Sequence, residues 1–148
     1  QIGQGRGGFY SYEVLENIAG CQIKNAMTVI EDLQRIAVGD EIRLHPKGPP
    51  LAVVTVEKDR ALVLYGGPPG PGGPGTDLPN VDIATSWAIL LEPLGGGATR
   101  LISRTRYHHG PGFMNSLMGG PALLEPISSV MTKKMLRGIK GLVEEAGR

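Results

Sequence analysis

The chain has little of what would build a disulfide scaffold, a membrane span or a nucleic-acid surface. It holds a single cysteine, Cys21, so neither an intrachain disulfide nor a cysteine-based zinc site can form. Its longest aromatic-aliphatic run, Trp87–Leu91, is far shorter than the roughly 20 residues a membrane span needs, so we predict no transmembrane segment. No secretory-type segment precedes the first predicted helix, and we therefore expect a cytoplasmic protein.

Charge and aromatic content are also low. Aromatic residues make up 5% of the chain and the net charge is +1. Residues 98–148 carry eight basic and three acidic side chains, but this local excess is too weak for a nucleic-acid footprint. We therefore expect no nucleic-acid partner.

Motifs for cofactor, metal or nucleophile chemistry are weak. Residues 3–8 match the spacing G-x-G-x-x-G, but a dinucleotide site needs a preceding strand, and only two residues precede this motif. We interpret it as a tight turn and expect no cofactor. His108 and His109 point to opposite faces of a strand and His45 is isolated, so we expect no metal site. Cys21 is interpreted as a small packed residue rather than a nucleophile.

Glycine and proline are abundant instead, at 23 and 12 residues, and every residue from 66 to 75 is one or the other. We predict a mobile surface loop over residues 66–80, since such a tract offers no apolar side chains to anchor it. The whole chain is 41% hydrophobic, enough for one domain spanning residues 1–148.

Hydrophobic periodicity predicts short helices first, then strands, then one long helix. The helices are Tyr12–Ala19, capped by Ser11 and ended by Gly20, and Thr28–Arg35. The strands are Glu41–His45, Leu51–Glu57, Arg60–Tyr65, Ile83–Glu92 and Ala98–His108, and the long helix covers residues 121–145. Consecutive antiparallel strands with one closing helix predict an α+β fold.

The candidate site follows from the alternation of the last strand. Ser103, Thr105 and Tyr107 share one face, and Arg104 and Arg106 share the other. Three hydroxyls on a face that meets the long helix indicate either a cavity wall or a half-polar sheet surface. The predicted ligand-binding residues are Trp87, Ile89, Ser103, Thr105, Tyr107, Met131 and Met135. The opposite orientation would turn both arginines inward, and these two with Tyr107 are the weak candidates for acid-base catalysis.

A basic cluster marks the long helix. Its members are Lys133, Lys134, Arg137 and Lys140. We interpret it as a solvated face, or alternatively as a contact for anionic headgroups or an acidic partner.

Five segments together resemble a bacterial branch of the SRPBCC (START-like, polyketide cyclase/dehydrase-like) superfamily. They are residues 5–11 (GRGGFYS), 15–21 (LENIAGC), 38–48 (VGDEIRLHPKG), 99–107 (TRLISRTRY) and 123–131 (LLEPISSVM). The resemblance implies a helix-grip fold, in which a strongly curved antiparallel sheet wraps around a long C-terminal helix and encloses a hydrophobic cavity. Relatives bind lipids, sterols, polyketides or other apolar molecules, and some catalyse cyclisation or dehydration.

The resemblance also implies a departure at the N-terminus. Family members normally begin with a strand and a helix ahead of the glycine loop, whereas this sequence starts at the end of that helix. We therefore expect an N-terminally truncated sheet with an exposed edge, and a homodimer formed through that edge.

Three functions follow as expectations. The first is binding of an apolar small molecule between the sheet and the long helix. The second is a cyclase/dehydratase-type enzyme acting on a polyketide-like substrate, which two convergent ionisable groups in the cavity would favour. The third is a membrane-surface or partner-binding module.

Overall fold

The computed structural model describes residues 1–67, 83–109 and 121–147. The predicted loop at 66–80 lies outside the described residues from position 68 onward, so its mobility stays a prediction.

Two short helical segments precede the strands, and one long helix follows them. The elements are α1 (Glu13–Ile18), a 3-10 turn (Glu31–Leu33), β1 (Glu41–Arg43), β2 (Pro50–Glu57), β3 (Ala61–Gly66), β4 (Ile83–Gly95), β5 (Ala98–His109) and α2 (Pro121–Ala146). β1 is shorter than predicted and β4 is longer. The β4–β5 turn has positive φ at its three consecutive glycines, which other residues rarely adopt.

The strands form one sheet in the order β1-β2-β3-β4-β5, each antiparallel to its neighbours. Leu64 stands opposite Trp87, and Trp87 stands opposite Thr105, so all three share a face. A bulge between Val53 and Thr55 interrupts the β2–β3 register and bends the strand. The predicted α+β class is confirmed, with a curved sheet that does not close. The helix-grip arrangement itself stays a prediction.

The core lies on the same face of β1 to β3. Ile42, Leu51, Val53 and Leu64 are buried and pack together, and Trp87 packs against them. The register explains this cluster, because Ile42 pairs with Leu51 and Val53 pairs with Leu64. Burying each of these side chains stabilises the fold by roughly 1.5–3 kcal/mol. Strands β1 to β3 therefore carry the packed core. The remainder of the same sheet face is available to line a cavity.

The glycine-rich N-terminus forms the predicted tight turn. Gly3 and Gly8 form an antiparallel bridge, in which the Gly3 N–H donates to the Gly8 carbonyl at 3.0 Å. Gly8 has φ of +80°, and a Cβ there would meet the Asn25 side chain and lie 3.0 Å from the Lys24 carbonyl oxygen, so a larger residue would be strained. Residues 10–12, which follow this turn, lie against the surface of α2.

Two predicted helix details are wrong. Ser11 does not cap α1, because the helix begins at Glu13 and the Ser11 hydroxyl donates instead to the Met131 carbonyl at 3.2 Å. The second predicted helix is reduced to its 3-10 turn, and the Gln1 side-chain amide donates at 3.0 Å to the Thr28 carbonyl that a longer helix would have used. Val29, on its intended apolar face, is 70% exposed, so little packing supports a helix there.

Candidate functional site

A cavity of about 510 Å³ lies between the sheet face that carries Trp87 and the helix α2. Three walls line it: strands β2 to β5, one side of α2, and the segments around α1 and the β1–β2 connection. The cavity thus joins residues that are far apart in sequence.

The sheet wall follows from strand register. Trp87 stands opposite Thr105, and Thr85 stands opposite Tyr107, so all four side chains project from one face. All four line the cavity. The Trp87 Nε1–H donates to the Ser103 Oγ atom at 2.9 Å, which holds the indole ring in place.

The helix wall follows from helical spacing. Ile127, Met131 and Met135 recur every four residues and form one row, and Ser128 and Thr132 form the neighbouring row. Met135 is only 4% exposed. The flexible thioethers of the two methionines can adapt to ligands of different shape.

None of the residues in the third wall was predicted as a site residue from the sequence. They include Phe9, Ser11, Glu16, Cys21, Leu44 and His45. An acidic residue on a short helix ordinarily indicates a solvent-facing position, so the sequence carried no signal for Glu16. Thr85 on the sheet wall was also missed, although its alternation with Trp87 predicts it. The prediction for α2 likewise lacked Ile127, Ser128 and Thr132.

Glu16 is the most unusual of these residues. It is only 4% exposed, and neither carboxyl oxygen has a hydrogen-bond partner among the described residues. Burial, followed by the negative charge of Glu13, raises the pKa of the Glu16 carboxyl above its ordinary value. The cavity lining therefore includes a carboxyl group whose protonated form is favoured by its surroundings.

The neighbouring thiol is buried as well. Cys21 is 8% exposed, and its Sγ atom contacts the Leu44 carbonyl at 3.9 Å. Burial and then the nearby Glu16 raise the pKa of the Cys21 thiol, which disfavours the nucleophilic thiolate. The position agrees with the interpretation of Cys21 as a packed residue.

His45 is held by two backbone contacts. Its Nε2 atom lies 3.1 Å from the Ala19 carbonyl, and its Nδ1 atom accepts the Lys47 N–H at 3.1 Å. We assign the neutral tautomer with the proton on Nε2, because only this form satisfies both contacts. The ring thus fastens the β1–β2 connection to the end of α1. Within residues 1–67, 83–109 and 121–147, no three His, Cys, Asp or Glu side chains are grouped to hold a metal ion.

The predicted site residues separate into two groups. Trp87, Thr105, Tyr107, Met131 and Met135 line the cavity.

Ile89 and Ser103 form the next pair along β4 and β5, on the same face but beyond the cavity lining. On each strand they lie two residues beyond the nearest residue that lines the cavity. Arg104 and Arg106 are exposed and pair with Ala88 and Ser86, so they stand on the opposite face, and the arrangement with both arginines in the pocket is not observed.

Comparison with protein-family models, with curated proteins and with solved structures finds no match to this chain. Of the helices in the described residues, none combines the length and apolar character needed to cross a membrane. Function is therefore inferred from the chemistry of the cavity itself.

Proposed function

We propose that the protein binds an apolar small molecule, lipid-, sterol- or polyketide-like, in the cavity between sheet and α2, and that it is a helix-grip protein of the SRPBCC superfamily. The observation that supports binding is the cavity of about 510 Å³. That volume falls within the roughly 300–1,000 Å³ typical of small-molecule sites.

The lining supports an apolar ligand with a few polar contacts. Phe9, Leu51, Trp87 and Met131 contribute apolar surface from four different segments of the chain. A ligand that covers these side chains gains affinity from burial, at about 25 cal/mol per Å² of apolar area before the costs of association. The hydroxyl of Thr105, on the same wall as Trp87, is placed to orient the ligand.

The experiment compares two substitutions at adjacent helix positions. Ser128 lines the cavity, whereas Ser129 is exposed and does not. Ser128→Trp should fill the cavity and abolish binding of the apolar dye N-phenyl-1-naphthylamine, followed by fluorescence titration. Ser129→Trp, the matched control, should bind the dye like the unmodified protein.

Equal dye binding by both variants would refute the proposed site. Equal binding would mean that the dye adheres elsewhere on the surface. Native mass spectrometry of the purified protein then gives a direct test, because a co-purified apolar molecule should be present with Ser129→Trp and lost with Ser128→Trp.

A cyclase/dehydratase-type activity is the second candidate, and the buried Glu16 favours it. A carboxylate whose pKa is raised by burial is a stronger base than an exposed one. Ionised Glu16 would remove the proton beside a substrate carbonyl and then give it to the departing β-hydroxyl. The products are water and an α,β-unsaturated carbonyl compound, and Glu16 is returned ionised.

This candidate is tested with a β-hydroxy ketone that carries an alkyl tail. Mass spectrometry should detect loss of water with the unmodified protein, and Glu16→Gln should abolish the reaction while dye binding persists. Absence of turnover by the unmodified protein would remove the candidate and leave the binding function.

We also propose that a second copy of the chain pairs with the edge of the sheet. β5 is the outermost strand of the described sheet, and the segment Ala98–Arg104 presents that edge. Outer strands recruit other strands unless something covers them. Light scattering over a range of concentrations should give a dimer mass, and a monomer at every concentration would refute the proposal.

The membrane-surface or partner-binding function and the cytoplasmic location stay predictions. Two of the four basic residues on α2 already interact within the chain. Lys140 lies 3.5 Å from a Glu144 carboxyl oxygen, and the Lys134 ammonium lies 5.8 Å from the centre of the Tyr12 ring. Such exposed contacts contribute little energy. They do not indicate a specific partner for the basic cluster on α2.

A further inference from the structure

Glu16 occupies a position that carboxyl groups rarely occupy. Its side chain is 4% exposed and lines the cavity, and both of its oxygens are without a hydrogen-bond partner among the described residues. An unpaired buried carboxyl costs stability, so such groups usually acquire a partner. The cavity leaves room for that partner to be a ligand.

The polar groups near Glu16 are committed to other contacts. The Ser11 hydroxyl donates to the Met131 carbonyl, and both ring nitrogens of His45 contact the backbone. The Cys21 thiol contacts the Leu44 carbonyl. The described protein therefore supplies no donor to the Glu16 carboxyl.

Among the described residues, the charged groups identified at the cavity are acidic. Glu13, on the same helix, adds a second negative charge that acts on Glu16. No Lys or Arg is among the described residues that line the cavity. The electrostatic environment therefore favours a positively charged group beside Glu16.

We propose that Glu16 selects apolar ligands that carry a protonated amine, with the ammonium group donating to the Glu16 carboxylate and the apolar tail covering Trp87 and the methionines of α2. This inference rests on the proposed ligand-binding function and specifies its ligand class. A charge-assisted hydrogen bond is stronger than a neutral one, so an amine should bind about tenfold more tightly than an alcohol of the same length.

Amine binding should also change the number of protons that the protein carries. In the free protein the raised pKa favours the protonated carboxyl, whereas the complex requires the ionised form. Amine binding should therefore release protons at pH values where free Glu16 is protonated. The other titratable groups near the cavity are Glu13 on α1, Cys21, His45 and Tyr107 on β5, and the described α2 residues that line it are uncharged.

The experiment titrates three probes of equal length, decylamine, decan-1-ol and decanoic acid, by isothermal calorimetry. Decylamine should bind about tenfold more tightly than decan-1-ol, and decanoic acid should bind most weakly. Glu16→Gln should bring decylamine within about twofold of decan-1-ol. Glu31→Gln removes one charge at an exposed position and should leave the amine preference intact.

Proton release gives a second measurement on the unmodified protein. Titration of decylamine near pH 4.5, where a carboxyl with a pKa raised above that value is more than half protonated, in two buffers with different ionisation enthalpies should show protons released, and decan-1-ol should show none. The inference is overturned if decylamine and decan-1-ol bind equally, if decanoic acid binds most tightly, if no protons are released, or if Glu16→Gln keeps the amine preference. If neither the three probes nor the dye binds, both the proposed function and this inference are refuted. If the dye binds but decylamine does not, only this inference is refuted.

Discussion

Two glycines on α2 provide a matched test of how that helix docks on the N-terminal segment. A Cβ on Gly138 would lie 2.8 Å from the Tyr10 carbonyl oxygen, whereas a Cβ on Gly141 would meet nothing within 4 Å. Ala is about 1 kcal/mol more favourable than Gly inside a helix. Gly141→Ala should therefore raise the free energy of unfolding by about 1 kcal/mol.

At Gly138 the same propensity gain meets a steric cost. The contact partner is backbone, so it cannot rotate away, and overpacking of this kind costs about 1–3 kcal/mol. Gly138→Ala should therefore be between neutral and about 2 kcal/mol destabilising, which places it about 1–3 kcal/mol below Gly141→Ala.

Urea denaturation followed by circular dichroism measures both variants. A difference of this size shifts the melting temperature by about 2–4 °C per kcal/mol, which a thermal scan resolves. Equal stabilisation by the two variants would show that α2 does not pack against Tyr10, and the cavity wall that depends on this docking would be wrong.

Three further predictions concern the cavity and its walls. Folding raises the pKa of the Glu16 carboxyl above 4.5, so the folded state binds this proton more tightly than the unfolded state. The free energy of unfolding therefore falls as the pH rises above about 4.5. Glu16→Gln should therefore unfold at higher urea than the unmodified protein near pH 7 but not below about pH 4, and the exposed Glu145→Gln should show neither effect. Met135→Asp should abolish the cooperative thermal transition because this side chain is 4% exposed, whereas Val143→Asp, at a 66% exposed position, should cost about 0.5 kcal/mol. Trp87→Phe removes the indole N–H donor and should lower stability by about 0.5–1.5 kcal/mol plus a smaller packing loss, and an unchanged melting temperature would contradict the observed hydrogen bond.

Alternation along strands was sufficient to predict much of the sheet. Period-two patterns placed five strands close to their observed bounds, because a residue that faces a core must be apolar while its neighbours need not be. The same reasoning put Trp87, Thr105 and Tyr107 on one face, where the register has them. The 3.6-residue period likewise predicted α2 and its row of methionines.

Short helical patterns were less informative. Residues 28–35 have helical spacing, yet only the turn at Glu31–Leu33 forms. A segment of this length is marginal alone, and the Gln1 side-chain amide donates to the Thr28 carbonyl, which in a helix over residues 28–35 would accept the Asp32 N–H. The competitor is 27 residues away in sequence, so no local pattern could show it.

The sequence by itself determined which faces are apolar, and therefore the strands, the long helix and the α+β class, since periodicity is a local property of neighbouring residues. Only the tertiary structure decided where the cavity ends and what closes it. Ile89 and Ser103 share the face of Trp87 but lie beyond the cavity lining, a limit that strand alternation alone does not show. Glu16 enters the cavity because α1 folds against the β1–β2 connection, where the His45 ring contacts the Ala19 carbonyl. Contacts of this kind join distant segments, and the burial they impose gives an ordinary acidic residue its unusual chemistry.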